Sequence, residues 1–375
     1  MRYLQQTSAL AISIAIATMA ISATAEAKSK YEKVEVAFVL DTTGSMSGLI
    51  EGAKQKIWSI ANEIIDVESS GQTKVSFALI GYRDRGDAYV TKSYDMTDDI
   101  HGIYGNLLQF KAQGGGDRPE SVNQALYEAV NDLSWSNDNK TLRMVFLVGD
   151  APPHMDYDND IQYPQTTRLA NNRDIIINTV QAGRDSETSR IWRTIAKLGQ
   201  GDYVAIPQDG GMQVINSPYD QDIEVLQQRI SNSTMGYGNA ETRKRFRSKR
   251  DTVLGASSSV ASDMAEYRLK AGKSNQVITG VNELIEDYED GKIKLEEIDV
   301  DDLPNELKNL TAEERQAKVE TLVAERVTLN KKLETLVKQR ETFVETKRKQ
   351  IEAETKDDAF DTQIRKSIER QMKSD

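Results

Sequence analysis

At 375 residues, with 38% hydrophobic and 29% charged side chains but only 6% aromatics, the chain has room for one sizeable core diluted by something long, charged and helical. A net charge of -11 argues against duplex nucleic acid as the main partner, because a phosphate backbone calls for a basic face. The absence of cysteine excludes disulfides, thiol catalysis and zinc–thiolate sites, and with only His101 and His154 a multi-histidine metal site cannot be built in one chain.

The chain opens on Arg2 and an apolar run from Ala9, followed by small residues that fit a cleavage pattern at Ala23-Thr24-Ala25 or Ala25-Glu26-Ala27. Residues 1–27 therefore read as a cleaved signal peptide, the run being short for a membrane span. The expectation is an exported bacterial protein, periplasmic or secreted, with no stable transmembrane anchor.

The next stretch organises the rest. An apolar run of strand length from Val34 stops on Asp41, a turn with Thr43, Gly44 and Ser45 follows, and a helix then carries Leu49, Ile50, Ala53, Ile57, Ile60, Ala61, Ile64 and Ile65 at helical spacing. Asp41, Thr43 and Ser45 occupy alternate positions, so their oxygens can converge on one point; such hard-oxygen donors suit a small divalent cation. The simpler alternative is a helix cap, with Thr43 or Ser45 accepting backbone N–H bonds. Residues 74–82 read as a second strand and 89–94 as a polar edge strand. A helix is expected from Asp98 to Phe110, started by Asp98 or Asp99. The loop Gly114-Gly115-Gly116-Asp117-Arg118-Pro119-Glu120 then leads into a helix through Ala125, Leu126 and Val130, with Pro119 expected in its first turn. Residues 142–150 form a buried strand that again ends on an aspartate, Asp150. Strands at 175–180 and 203–206 and helices near 190–198 and 220–230 complete the pattern.

Alternating strands and helices predict an α/β fold with a mostly parallel, doubly covered sheet. Ligands of such sheets lie beyond the carboxyl ends of the strands. Asp41 and Asp150 sit at such ends and Asp117 on a loop of the same kind. Carboxylates gathered there without a cation would repel one another and raise one another's pKa, a conflict that a bound divalent ion removes.

The region 33–230 resembles a von Willebrand factor A (vWA) domain, and Asp41-Thr42-Thr43-Gly44-Ser45 resembles its metal-ion-dependent adhesion site (MIDAS). The family's D-x-S-x-S turn falls on Asp41, Thr43 and Ser45, and its later aspartate on Asp150. The threonine that usually completes the site has no direct counterpart; Asp117 stands there, as in hemicentin-like and alpha-kinase-like A domains. The resemblance implies a Rossmann-like six-stranded sheet of order 3-2-1-4-5-6. It also implies bound Mg2+ (or Mn2+/Ca2+), and a protein ligand whose acidic side chain supplies the last metal ligand. With Asp117 ionised the site keeps residual negative charge, so tighter metal retention and weaker capture of acidic ligands are expected. Arg118, His154 and Tyr157 are candidates for a partner-binding rim. Arg85-Gly86-Asp87 spells an integrin-recognition tripeptide but reads as a polar turn. The aspartates of 156–160 resemble the start of a calcium loop, without its glycine, since Ile161 takes that position.

Residues 231–240 read as a linker, and 241–375 as a helical, partly coiled-coil region without a family resemblance. It opens on a dense basic run, 243–250, read as a solvated helix face. One helix is expected over 251–270, and another from Asn275 to Asp290, stopped by Gly291. Thr311-Ala312-Glu313-Glu314 is a capping box that opens a long helix. There Leu322, Leu329, Leu336 and Phe343 recur every seven residues. Val319 and Leu333 start a second seam that Arg326, Arg340 and Lys347 interrupt, while Val323, Val327, Val337 and Val344 broaden the stripe. Packing in a small bundle, or back on the same chain, is expected rather than a simple parallel dimer; homo-oligomerisation through these helices remains open. The expected function is an exported, metal-dependent protein-binding module with a helical extension for oligomerisation or docking, not an enzyme. The alternatives are a structural or regulatory subunit whose metal only locks the loops, and a metal-assisted hydrolase without an obvious general base.

Overall fold

The first strand, β1 (Lys33–Asp41), is buried along almost its whole length and takes neighbours on both edges. In the computed structural model, which describes residues 30–66, 74–116, 118–273, 275–354 and 359–373, it pairs in parallel with β2 (Lys74–Tyr82) and β4 (Thr141–Gly149). The expected signal peptide and Asp117 lie outside the described residues. With β3 (Thr91–Thr97), β5 (Ile175–Ala182) and β6 (Gln200–Ile206) the sheet has the order β3-β2-β1-β4-β5-β6, antiparallel only at β3. The expected doubly wound sheet is thus the one observed. Alternation along β1 divides the interior: Val34, Val36, Phe38 and Leu40 enter one core, while Ala37 and Val39 enter the other. The first core lies under α1 (Ser47–Asp66) and α2 (Ile100–Gln109), the second under α3 (Val122–Asn131), α4 (Tyr163–Asn171) and α5 (Ser186–Leu198).

Some local expectations change. Pro119 is not in the first turn of α3, which begins three residues later, after a cis Arg118–Pro119 peptide. The helix α4 gave no periodic signal, because it buries only Thr166, Thr167 and Ala170. The expected start of α2 is present: Asp99 accepts from Gly102 N.

The helical region comprises α6 (Asp220–Asn232), α7 (Ala240–Leu254), α8 (Ser258–Lys270), α9 (Leu284–Glu289), α10 (Asn305–Lys308), α11 (Ala312–Glu354) and α12 (Phe360–Lys373). It packs back on the sheet domain rather than projecting from it. α8 and α12 lie on α1, α7 on α2, and α11 on α6, α8 and α9. Trp58 of α1 centres the junction, edge-on to His101, Tyr104 and Tyr267 with ring centroids 4.7, 6.0 and 5.5 Å away. The stretch read as a linker is held in place, since α6 runs into it and Ser231, Ser233 and Thr234 are buried. Gly255 divides the helix expected over 251–270. The helix expected from Asn275 is confined to α9. Gly280 takes φ +66°, and the Glu283 side chain accepts from Ile285 N and Glu286 N, so the helix starts there.

The predicted capping box of α11 is formed: Thr311 N donates to Glu314 Oε2 (2.8 Å) and Glu314 N to Thr311 Oγ1 (3.2 Å). Its seams are reversed, however. Val319, Arg326, Leu333 and Arg340 are all buried at sevenfold spacing, whereas of the leucine seam only Leu329 is buried and Leu322, Leu336 and Phe343 are half-buried; Val337 is buried, Val327 is 40% exposed and Lys347 is exposed. The arginines do not interrupt the seam; they join it. Arg326 binds Glu283 (2.7 Å), Ser233 Oγ (2.8 Å) and Ser233 O (3.1 Å), and Arg340 binds Asp220 (2.7 Å), Asp263 (2.7 Å) and Glu266 (2.9 Å).

Candidate metal centre

At the carboxyl end of β1 the chain leaves the sheet on Asp41, which is wholly buried. Its Oδ1 accepts from Thr43 N (2.8 Å) and Thr43 Oγ1 (2.6 Å), and Thr43 Oγ1 lies 3.3 Å from Ser45 Oγ. Thr43 stands at the N-cap of the short 3-10 turn Gly44–Met46 yet makes no side-chain cap bond, so its hydroxyl serves the carboxylate and not the helix. Asp41 Oδ2 has no hydrogen-bond partner among the described residues. Burial, with the nearby Asp150 charge, pushes the Asp41 pKa up to about 7.

Two glycines let the surrounding backbones close on this carboxylate. A Cβ on Gly149 would lie 3.0 Å from Asp41 Cβ and 3.1 Å from Oδ2, and closer still to the Tyr82 hydroxyl. Gly115, at φ +75°, lies so near Thr43 that a Cβ would come within 2.8 Å of its Cβ. The glycine loop is tied down by Gln113 N to Thr42 O (3.1 Å), Gly44 N to Gly114 O (3.2 Å) and Gly115 N to Asp87 Oδ2 (3.1 Å).

The result is a cleft of about 370 Å³ whose wall includes Thr43, Ser45, Glu120 and Asp150. Glu120 is buried, its Oε2 has no hydrogen-bond partner among the described residues, and burial with the charges of Asp41 and Asp84 pushes its pKa up to about 9. Asp150 is half-buried and receives Gln208 Nε2 at 2.7 Å. Among the described residues the cleft thus gathers acceptor oxygens, while of its two cations Arg118 is bound to Asp185 and neither it nor Arg184 pairs with Asp41. That donor set fits a hard divalent ion.

The sequence pattern of the von Willebrand factor A domain family matches residues 35–218. The chain carries a vWA domain. Domains of this family often mediate protein binding and often hold a divalent metal at their MIDAS. "Putative ariadne-like RING finger protein R811" of Acanthamoeba polyphaga mimivirus is 32% identical over 121 residues, 32% of this chain and 11% of that protein. "von Willebrand factor A domain-containing protein 7" of Rattus norvegicus is 32% identical over 118 residues, 32% of this chain and 12% of that protein. The chain thus spans only about a tenth of the length of these relatives. Among solved structures, the SpRpn10 VWA domain aligns at 14% identity and TM-score 0.35, covering 48% of this chain and 89% of that one. Proximal thread matrix protein 1 from the mussel byssus, with a zinc-occupied MIDAS motif, aligns at 16% identity and TM-score 0.36, covering 48% and 43%.

Asp41, Thr43, Ser45 and Asp150 lie close together at the carboxyl ends of β1 and β4, whereas Asp117 is outside the described residues. The rim residues divide. Arg118 lines the cleft, but its guanidinium is engaged by Asp185 (2.5 Å) and Thr188 Oγ1 (2.8 Å). Asp185 also caps α5, and these bonds hold its carboxyl well below the usual carboxylate range. His154 and Tyr157 do not line the cleft. Their rings stack at 4.0 Å, with His154 Nδ1 2.8 Å from Asp156 Oδ1 and Tyr157 Oη donating to Asp84 Oδ2 at 2.8 Å. His154 is buried, so the rim expectation for it is corrected. In the tripeptide, Arg85 pairs with Asp160 (2.6 Å) and Asp87 turns in to the glycine loop. Asp156 and Asp160 are thereby spoken for separately, leaving no calcium-loop arrangement of the pair. Sequence reasoning missed Glu120, Gln208 and Arg184, an exposed cation of the cleft wall. Glu120 had a signal, its place in the same loop as Asp117; the other two lie on loops without a motif.

Proposed function

We propose that this is an exported protein-binding module whose vWA domain captures its partner through a divalent metal, Mg2+ or Mn2+ in preference to Ca2+. The observation that carries the reading is Asp41 Oδ2, a fully buried carboxylate oxygen without a partner among the described residues, set beside two hydroxyls and a second aspartate. Asp41, Thr43, Ser45 and Asp150 would hold the ion directly or through water, with Asp117 and Glu120 as further acidic donors. The ion supplies the positive charge that these oxygens lack and an open position for an acidic side chain of the partner. Arg184 gives that acidic group a second point of attraction. A binding role is favoured over hydrolysis because His154, the histidine nearest in sequence to the site, is engaged with Asp156 outside the cleft. No helix among the described residues is long and apolar enough to cross a membrane.

A second reading, in which the metal only locks the loops, draws on the buried arginines of α11. They clamp α11 onto α6, α8 and the turn at Glu283 within the helical region, so that this region holds together as a body able to present a partner surface of its own. Calorimetric titration of the purified chain with MgCl2, MnCl2 and CaCl2, together with capture from an envelope extract with and without chelator, tests both. The proposal expects saturable heat and chelator-sensitive capture, both lost in Asp41→Ala. Capture that survives Asp41→Ala in a folded chain would favour the second reading, and no heat with any of the three ions would overturn the first.

A further inference from the structure

On the far side of α1 from the sheet, four helices (α1, α8, α11 and α12) enclose a cavity of about 340 Å³ that the metal centre does not use. Seven carboxylates and four cationic side chains line it. Two of its acceptors are left over. Glu63, 6% exposed, gives one oxygen to Arg348 at 2.9 Å, while its Oε2 has no hydrogen-bond partner among the described residues. Asn62, 3% exposed, donates its amide to Asp263 O at 3.0 Å, and its Oδ1 likewise has no partner there. A buried acceptor left unmade is costly, and both of these need a donor, not another oxygen.

The wall displays the kind of donor it accommodates. Asp66, Glu266 and Glu341 converge closely enough for a metal, but the ammonium of Lys270 already sits among them, 2.6, 2.7 and 3.0 Å from the three carboxylates. A metal would have to displace that lysine; an alkylammonium would not. Val344 supplies an apolar surface beside the charged groups, suited to a short methylene chain.

We propose that this cavity binds a small linear diamine, one ammonium donating to Glu63 Oε2 and Asn62 Oδ1 and the other meeting the surplus carboxylates at the α11–α12 side. The ligand would tie α1 of the vWA domain to the helical region, independently of the metal centre.

The test is calorimetric titration and thermal melting of the full chain with putrescine, with MgCl2 and methylammonium chloride at matched ionic strength as controls. Expected are saturable heat and a raised melting temperature with putrescine, an affinity at least about tenfold weaker in Glu63→Gln, and undiminished binding in Asp41→Ala. Should Glu63→Gln not fold, as judged by circular dichroism, Glu345→Lys places a cation on the exposed edge of the cavity and is expected to weaken putrescine similarly. No heat with putrescine, equal heat with methylammonium, or heat unchanged in the folded variant would each overturn the proposal. Heat with MgCl2 that Glu63→Gln removes, without putrescine binding, would assign the cavity to a metal and overturn it as well.

Discussion

Among the places where this molecule buries carboxylates, two balance the charge in opposite ways. In the seam under α11, Asp220, Asp263 and Glu266 surround Arg340, and Glu283 meets Arg326, so the chain carries its own counter-charge. At the carboxyl end of the sheet, Asp41 and Glu120 are equally buried, yet each keeps an oxygen without a partner among the described residues. A structural ion network is closed within the fold; a binding site is left one charge short. The contrast teaches which buried acids to read as architecture and which as an invitation to a cation.

The largest effect should come from opening the closed network. Arg340→Met takes the guanidinium from three buried carboxylates, leaving Asp220 and Asp263 without it and Glu266 to Lys270 alone, and removal of one partner from such a cluster costs about 3–5 kcal/mol. Urea unfolding measures it. A loss under about 1 kcal/mol would mean that these carboxylates do not depend on the arginine, and the comparison would collapse. Next is the open site. With metal at a hundredfold over its dissociation constant, the folded chain should gain about 2.7 kcal/mol, seen as a higher melting temperature that EDTA reverses. Asp41→Ala should melt at the same temperature with or without metal. If the variant still responds, the ion binds elsewhere.

His101 provides a third way of burying a titratable group, which is to keep it neutral. Thr279 N donates to its Nδ1 at 3.2 Å, and burial lowers the pKa from 6.5 to about 3, the Asp99 charge opposing only in part. A depressed folded pKa contributes stability that is present above 6.5 and lost as the pH falls toward 3, because the unfolded chain takes up the proton first. Between pH 6.5 and 5 the wild type should therefore lose about 1.5–2 kcal/mol more than His101→Gln, whose amide can still accept from Thr279 N. Parallel pH–stability curves for the two proteins would refute this.

How much of this was legible in the sequence depends on whether side chains follow their usual preferences. The strand ends at Asp41 and Asp150 and the Thr311–Glu314 cap were readable, because apolar runs, turn residues and caps act locally, whereas the sheet order came only with the resemblance to the vWA family. Arg326 and Arg340 were not, since a heptad pattern counts arginine as solvent-facing; only the acids of α6, α8 and the turn at Glu283, far away in sequence, make its burial sensible. Residues 275–283 carry helix-compatible side chains but are fixed by tertiary bonds, Thr279 to His101 and Asp99 among them. Glu120 could be read as part of a motif, but its burial beside Asp41 required the folded glycine loop.

The smallest expected effect separates the metal from its support. Gln208 is exposed, and its Nε2 donates to Asp150 Oδ2 at 2.7 Å and to Ser45 O at 3.3 Å, bridging two walls of the cleft without being a natural ligand to a hard cation through that nitrogen. Gly183, at φ +77°, leaves room for the other end of the amide. Truncation to alanine removes a hydrogen bond to a charged group in partial solvent, so a loss of about 1 kcal/mol, or a few-fold in metal affinity by calorimetry, is expected. The intermediate size is the informative point. A loss as large as that in Asp41→Ala would mean that Asp150 cannot find the ion without its tether, and that the site is assembled by the β6 loop. No loss at all would mean that the strand end alone aims Asp150, as the wholly buried strand end does for Asp41.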